Sequence, residues 1–254
     1  AKEGVPQRIV ALYPVATEIL FAVGAEDQVA AISDLTDYPL EALSKPKAGG
    51  FDGKTLSMET ILSFKPDLVY LTDGMHNFLI EQLEGYGIKY YLSKADSIKA
   101  VEQEILDIGK ITGHEKQAEK VVSEIQKTVL KVKGQKSDKV QTVYYEVWNS
   151  PFMSIGSKSF LNDILSTVNL KNIFDDIDDG YPVVSEETIL ARKPDYIFIP
   201  MTSGLTEEDV KSRKGWDSLP AVKNNKVFII NDNLYTRSGP RITQTLTELS
   251  ELVK

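Results

Sequence analysis

The 254-residue sequence predicts an α/β protein of two Rossmann-like, parallel-sheet lobes joined by one long α-helix, with a cleft between the lobes. Three observations predict it. An eleven-residue stretch, Ser57–Asp67, recurs as Ser185–Asp195, with eight identical positions at a constant offset of 128 residues. Each copy runs into an apolar segment, Leu68-Val69-Tyr70-Leu71 or Tyr196-Ile197-Phe198-Ile199. Short apolar runs alternate with helical periodicity on both sides of the chain's middle, the rhythm of parallel sheets covered on both faces. Between the two copies lies one long amphipathic stretch. The boundaries that follow are 1–112 for the first lobe, 113–136 for the linking helix and 137–254 for the second lobe.

Each repeat reads as a short helix followed by a buried strand. Ser57 and Ser185 are N-caps, and Glu59 and Glu187 sit near the positive end of the helix dipole. Pro66 and Pro194 stop the helices by pushing Lys65 and Lys193 out of the α region.

The other elements follow in order. Residues 1–7 form a polar tail, and Arg8–Leu12 a strand broken at Tyr13-Pro14. Thr17–Val23 is a helix closed by Gly24, and Val29–Ile32 the second strand. Beyond the first repeat, a helix over Phe78–Tyr86 precedes a strand at Ile88–Leu92. Ile98, Val101, Ile105 and Ile108 stripe one helix, which Gly113 ends. Thr112 and Glu115 box the start of the next, where Ala118, Val121, Val122, Ile125, Val129 and Val132 recur at helical spacing. This is the linking helix, and a single rigid connector permits only limited lobe movement. In the second half, Val140–Val147 is a strand, Trp148–Phe152 an aromatic loop, and Phe160–Val168 a helix. An acidic loop, Asp175–Pro182, leads to the second repeat. Short helices at Glu207–Lys211 and around Trp216, a strand at Lys226–Ile230, a loop at Asn231–Pro240 and a helix over Arg241–Val253 complete the chain.

Composition narrows the function. A net charge of −8 argues against nucleic-acid binding, which needs a clustered basic face. No apolar run approaches the roughly 20 residues that span a bilayer. No signal peptide is evident, so the chain is expected to be cytosolic or a mature form without its leader. Zero cysteines exclude disulfides and thiolate chemistry.

Several motifs carry less than they suggest. Ala48–Thr55 fits a loose phosphate-loop pattern, but Leu43–Lys47 before it is no buried strand. Asp175, Asp176, Asp178 and Asp179 lack the mid-loop glycine and terminal glutamate of a calcium loop. The only histidines are His76 and His114, so no histidine cluster supports zinc, and no serine has a nucleophile-elbow context. No cofactor, resident metal or catalytic pair is expected.

What remains is a set of aromatic and basic residues in loops after strands, where parallel sheets bind ligands. They are Tyr13, Tyr38, Phe51, His76, Trp148, Phe152, Tyr181, Tyr235, Arg237 and Arg241. Rings supply apolar area and arginine forks pair with carboxylate or phosphate, so the set suits a large flat or macrocyclic ligand with acidic groups.

In this order the motifs are specific. Arg8–Leu12 with Thr17-Glu18-Ile19-Leu20, Asp37-Tyr38-Pro39, both Lys-Pro-Asp strands, Ile111-Thr112-Gly113 and Arg237–Arg241 resemble the extracytoplasmic substrate-binding proteins of ABC importers for cobalamin, haem and ferric siderophores. The resemblance covers essentially the whole chain. It implies a non-enzymatic monomer, periplasmic or at the cell surface with a lipid anchor, that holds a metal chelate in the cleft with little closure. It also implies that Glu59 and Glu187 pair with arginines of a permease dimer. Thr72 stands where the cobalamin-binding branch has a tryptophan, which leaves a ferric siderophore or haem open. Haem would need an axial ligand, for which His76, Tyr38 or Tyr235 would serve. The reading from another class is an enzyme on the same two-lobed scaffold.

Overall fold

The apolar runs of each half close into a separate four-stranded parallel sheet. The computed structural model describes residues 4–135 and 139–254, and its backbone divides into two compact units. The first comprises the residues up to Ala95 with Lys99–Ile125, and the second Asp96–Ile98 with Gln126–Lys254. The division falls inside the expected linking helix. That helix spans Glu115–Lys133, and Lys136, the last residue assigned to it, lies outside the described residues.

In the first unit, β1 (Ile9–Ala11), β2 (Val29–Ile32), β3 (Leu68–Thr72) and β4 (Lys89–Ser93) pair in the order β2-β1-β3-β4. Its helices are α1 (Pro14–Ala22), α2 (Met58–Ser63), α3 (Ile80–Gly85) and most of α4 (Ile98–Thr112), and α5 (Glu115–Lys133) belongs to it as far as Ile125. Helix α1 starts three residues before the expected Thr17. Pro14 occupies its first turn, where a missing N–H loses nothing and φ is already helical. The core on one side of the sheet joins Val10, Val69 and Leu71 to Ile61 and Leu83.

In the second unit, β5 (Gln141–Tyr145) is followed by a hairpin of β6 (Trp148–Asn149) and β7 (Phe152–Met153) where a loop was expected. The remaining strands are β8 (Leu170–Asn172), β9 (Tyr196–Pro200) and β10 (Val227–Ile230), in the sheet order β10-β9-β5-β8. Strand β8 is an addition to the expected set. The helices are α6 (Phe160–Thr167), α7 (Glu186–Arg192), α8 (Glu207–Lys211), α9 (Pro220–Lys223), α10 (Asp232–Tyr235) and α11 (Ile242–Leu252). Helix α10 lies inside the expected 231–240 loop. Trp216, fully buried, centres a core with Tyr144, Phe174, Ile189 and Ile197.

Read from the strand that follows the repeat strand, the two sheets run β4-β3-β1-β2 and β10-β9-β5-β8. The repeats are thus the same element in the same place of two sheets with one topology. Their local chemistry matches as well. Ser57 Oγ accepts from the Thr60 N–H at 3.1 Å, and Ser185 Oγ from the Thr188 N–H at 3.1 Å. Lys65 (φ 49°) and Lys193 (φ 46°) are left-handed, so each helix ends on a residue that turns the chain sharply into Pro-Asp. The aspartate then ties its strand to the central neighbour. Asp67 accepts from the backbone N–H of Gln7 (2.7 Å) and Arg8 (3.0 Å), and Asp195 from that of Thr142 (2.9 Å).

Candidate functional site

In each unit the chain passes from the first strand to an edge and back across to the third. The reversal leaves a switch point between β1 and β3, and another between β5 and β9. The connections leaving the carboxyl ends of the strands are where such sheets bind ligands. Nearly all the residues singled out in the sequence lie in those connections.

In the first unit, Tyr13 follows β1 directly and is partly buried. Tyr38 and Phe51, both in the β2–α2 connection, are 43% and 49% exposed. The glycine-rich stretch is a tight turn that presents Phe51. A Cβ at Gly49 would run into the Thr55 carbonyl oxygen, and one at Gly50 into the Thr55 hydroxyl. Asp52 closes the turn by accepting from the N–H groups of Lys54 and Thr55 and, at 2.8 Å, from Thr55 Oγ1. These bonds, with Thr55 foremost, hold its carboxyl below the usual range.

His76, after β3, is fully buried. Its Nδ1 accepts from the Thr72 N–H at 3.0 Å, so the neutral ring carries its proton on Nε2, a buried atom without a hydrogen-bond partner among the described residues. Burial pushes its pKa down to about 4. As folded, the imidazole offers nothing to solvent.

In the second unit, Trp148 on β6 is 55% exposed, and its indole N–H donates to the Ser150 carbonyl at 2.8 Å. Phe152 returns on β7, opposite Asn149, and rests half-buried against Trp216. The β8–α7 connection presents Tyr181, 49% exposed. The acidic residues before it pair with cations instead of converging. Asp176 takes a bidentate pair from Arg192 at 2.6 and 3.0 Å, and Asp178 takes Lys158 at 2.8 Å.

Beyond β10, Tyr235 and Arg237 are both buried, at 5% and 8% exposure. Burial, helped by Glu248, pushes the Tyr235 hydroxyl up to about 12. Sequence reasoning missed Tyr145, the last residue of β5. Its hydroxyl is buried and without a hydrogen-bond partner among the described residues, and its pKa is raised by burial and, to a lesser extent, by the charge of Asp232 and the hydroxyls of Tyr181 and Tyr235. Trp148 and Phe152 share the hairpin. The only sequence signal for Tyr145 is its place at the carboxyl end of a central strand.

Glu59 and Glu187 are the second residues of α2 and α7, and both are exposed. Among the described residues no group of three or more histidine, aspartate and glutamate side chains is placed to hold a metal ion. No described helix is long and apolar enough to cross a membrane.

Comparison with known proteins places this geometry. A family model described as periplasmic binding protein matches residues 9–234. An uncharacterized ABC transporter substrate-binding lipoprotein of Bacillus subtilis is 32% identical, covering 98% of this chain and 80% of its own length. A vitamin B12-binding protein of Vibrio parahaemolyticus is 27% identical over 96% of this chain and 88% of its own. Among solved structures, a possible iron-binding, periplasmic solute-binding protein from Staphylococcus epidermidis superposes with a TM-score of 0.85 at 32% identity, covering 98% of both chains. With the family model spanning most of the chain and a 32%-identical relative running along nearly all of it, this chain belongs to the periplasmic binding protein family.

Proposed function

We propose that the protein is the extracytoplasmic substrate-binding component of an ABC importer and captures a bulky metal chelate, a corrinoid or a ferric siderophore, for delivery to a permease dimer. One observation carries the reading. The exposed large apolar side chains cluster on connections leaving strand carboxyl ends, including Phe51 and Met75 in the first unit and Trp148 and Tyr181 in the second. Among the described residues only Tyr86, Leu130 and Val140 lie elsewhere. Apolar area left in water at about 25 cal/mol per Å² marks a surface meant to be covered. A corrinoid or siderophore brings its own metal-ligand shell. The protein then needs to supply only rings, hydrogen bonds and charge, from Tyr13, Tyr38, Phe51, Trp148, Phe152, Tyr181, Tyr235 and Arg237. Haem is the second reading. It would take its axial ligand most readily from Tyr38, because His76 is closed off and its Nδ1 is engaged.

Titration with cyanocobalamin, haemin and ferric hydroxamate and catecholate siderophores tests this directly. One of them should bind at 1:1 stoichiometry with micromolar or better affinity, unchanged chemically on release. Trp148→Ala should weaken that binding by about tenfold or more, the scale of an aromatic anchor. Failure of every probe at micromolar concentrations counts decisively against the reading.

Glu59 and Glu187 complete it. Serine already caps both helices, and each carboxylate adds only about 0.3–1 kcal/mol against the dipole. Matching acids on two units of one topology suit a two-fold permease that offers the same basic pocket twice. Such contacts set register and speed encounter. Glu59→Ala and Glu187→Ala should leave ligand affinity and Tm nearly unchanged, while capture by permease vesicles and transport both fall. Wild-type docking by the double variant would reduce the glutamates to helix caps. The protein acts as a monomer in this scheme, outside the cytoplasm, in the periplasm or at the cell surface.

A further inference from the structure

The hairpin that carries Trp148 is gripped on both legs by one side chain from a distant part of the second unit. Glu146, two residues before Trp148, is buried and accepts both terminal nitrogens of Arg213, at 2.6 and 2.9 Å. Phe152, on the returning leg, holds its ring centre 5.4 Å from the same guanidinium. The other aromatic neighbour is Trp216, 4.6 Å away, itself fixed by donating its indole N–H to Glu186 at 2.8 Å. A hairpin with two residues per strand is not stable alone; backbone bonds from Val184 N–H to the Phe152 carbonyl (2.9 Å) and from Ser154 N–H to the Pro182 carbonyl (3.0 Å) hold its returning leg, and Arg213 holds Glu146 ahead of its outgoing one.

We propose that Arg213 is the positioning residue for the ligand site, orienting the Trp148 hairpin without touching the ligand. The inference rests on the reading that Trp148 contacts ligand. An apolar side chain of similar volume would fill the same space and spare the unit a buried charge pair. What the guanidinium adds is direction. Its planar fork fixes Glu146 in two bonds while its charge lies over the adjoining rings of Trp216 and Phe152, and a lysine can do only part of this.

Two readouts separate positioning from mere support. The first needs no ligand. In protein labelled with 5-fluorotryptophan, Trp148 and Trp216 give two fluorine resonances, assigned by Trp148→Phe. Arg213→Lys, examined well below its Tm, should shift and broaden the Trp148 resonance. A Trp148 resonance that stays put overturns the proposal. The second is a double-mutant cycle against whichever of cyanocobalamin, haemin or the ferric siderophores the parent binds. Arg213→Lys should weaken binding by about tenfold, and in the Trp148→Ala background it should weaken it no further. Additive losses overturn the proposal. If the parent binds none of the probes, the ligand reading falls and the fluorine resonance alone decides on Arg213. Should Arg213→Lys not fold, Arg213→Gln combined with Glu146→Gln, which buries no unpaired charge, is read in the same way.

Discussion

Arg213→Met should destabilise the second unit by about 3–5 kcal/mol, the effect of removing one partner of a buried ion pair. Glu146 is 1% exposed, so without the guanidinium its carboxylate remains buried, with only the Tyr144 hydroxyl donating at 3.3 Å. The contact with the Trp216 face, worth about 0.5–2 kcal/mol where desolvated, is lost as well. The pair is nonetheless not what makes the unit stable. Glu146→Met combined with Arg213→Met removes both desolvation penalties and should recover most of the loss, although the hairpin would then lack its fork. Urea midpoints of the parent, both single variants and the double variant measure this. A single variant within about 1 kcal/mol of the parent would mean that the carboxylate reaches water and the pair is not closed.

This cluster also marks where sequence reading stopped. The repeat was legible because its serine cap and its proline stop act locally. The strands it precedes are continuous apolar runs, and the parallel sheets followed from them. Arg213 and Glu146 stand 67 residues apart with nothing local to join them, and only the fold makes them partners. Trp216 read only as part of a short helix, and nothing local marks its ring as wholly buried within the core. Strand β8 escaped because three residues, two of them Lys171 and Asn172, form no apolar run. Tyr145 looked like one more core residue of β5, since a hydroxyl without a partner leaves no trace in a sequence. The exposed aromatics lie in connections after strands, and Tyr38, Phe51, Trp148 and Tyr181 are each more than 40% exposed. Burial of His76, Tyr235 and Arg237 depends on packing from distant segments, which loop position does not encode.

Burial of His76 should make the stability of this chain depend on pH in the acid range. Its folded pKa of about 4 lies below the ordinary value of 6.5, and burial is the cause. The folded protein therefore resists the proton that the unfolded chain accepts. For a depressed base the sign is fixed: the contribution is fully present above pH 6.5 and is lost as pH falls toward 4. At 1.36 kcal/mol per pKa unit the loss is on the order of 3 kcal/mol. Glu104 tilts the other way. Burial holds its carboxyl above the usual range, although Tyr70 and Ser93 donate to it, so its contribution is present at low pH and fades as pH rises through that raised pKa. The measured acid profile is the sum, and one variant separates the two. His76→Asn keeps an oxygen where Nδ1 accepts from Thr72 and cannot be protonated. At pH 7 it should cost about 1–2 kcal/mol through lost ring volume. Below pH 6 the gap to the parent should close and then reverse, because only the parent forgoes in its folded state a proton that its unfolded chain accepts. Urea midpoints at pH 7, 5.5 and 4.5 follow the crossing. Parallel profiles for parent and variant would show that His76 titrates as freely in the folded state as in the unfolded one.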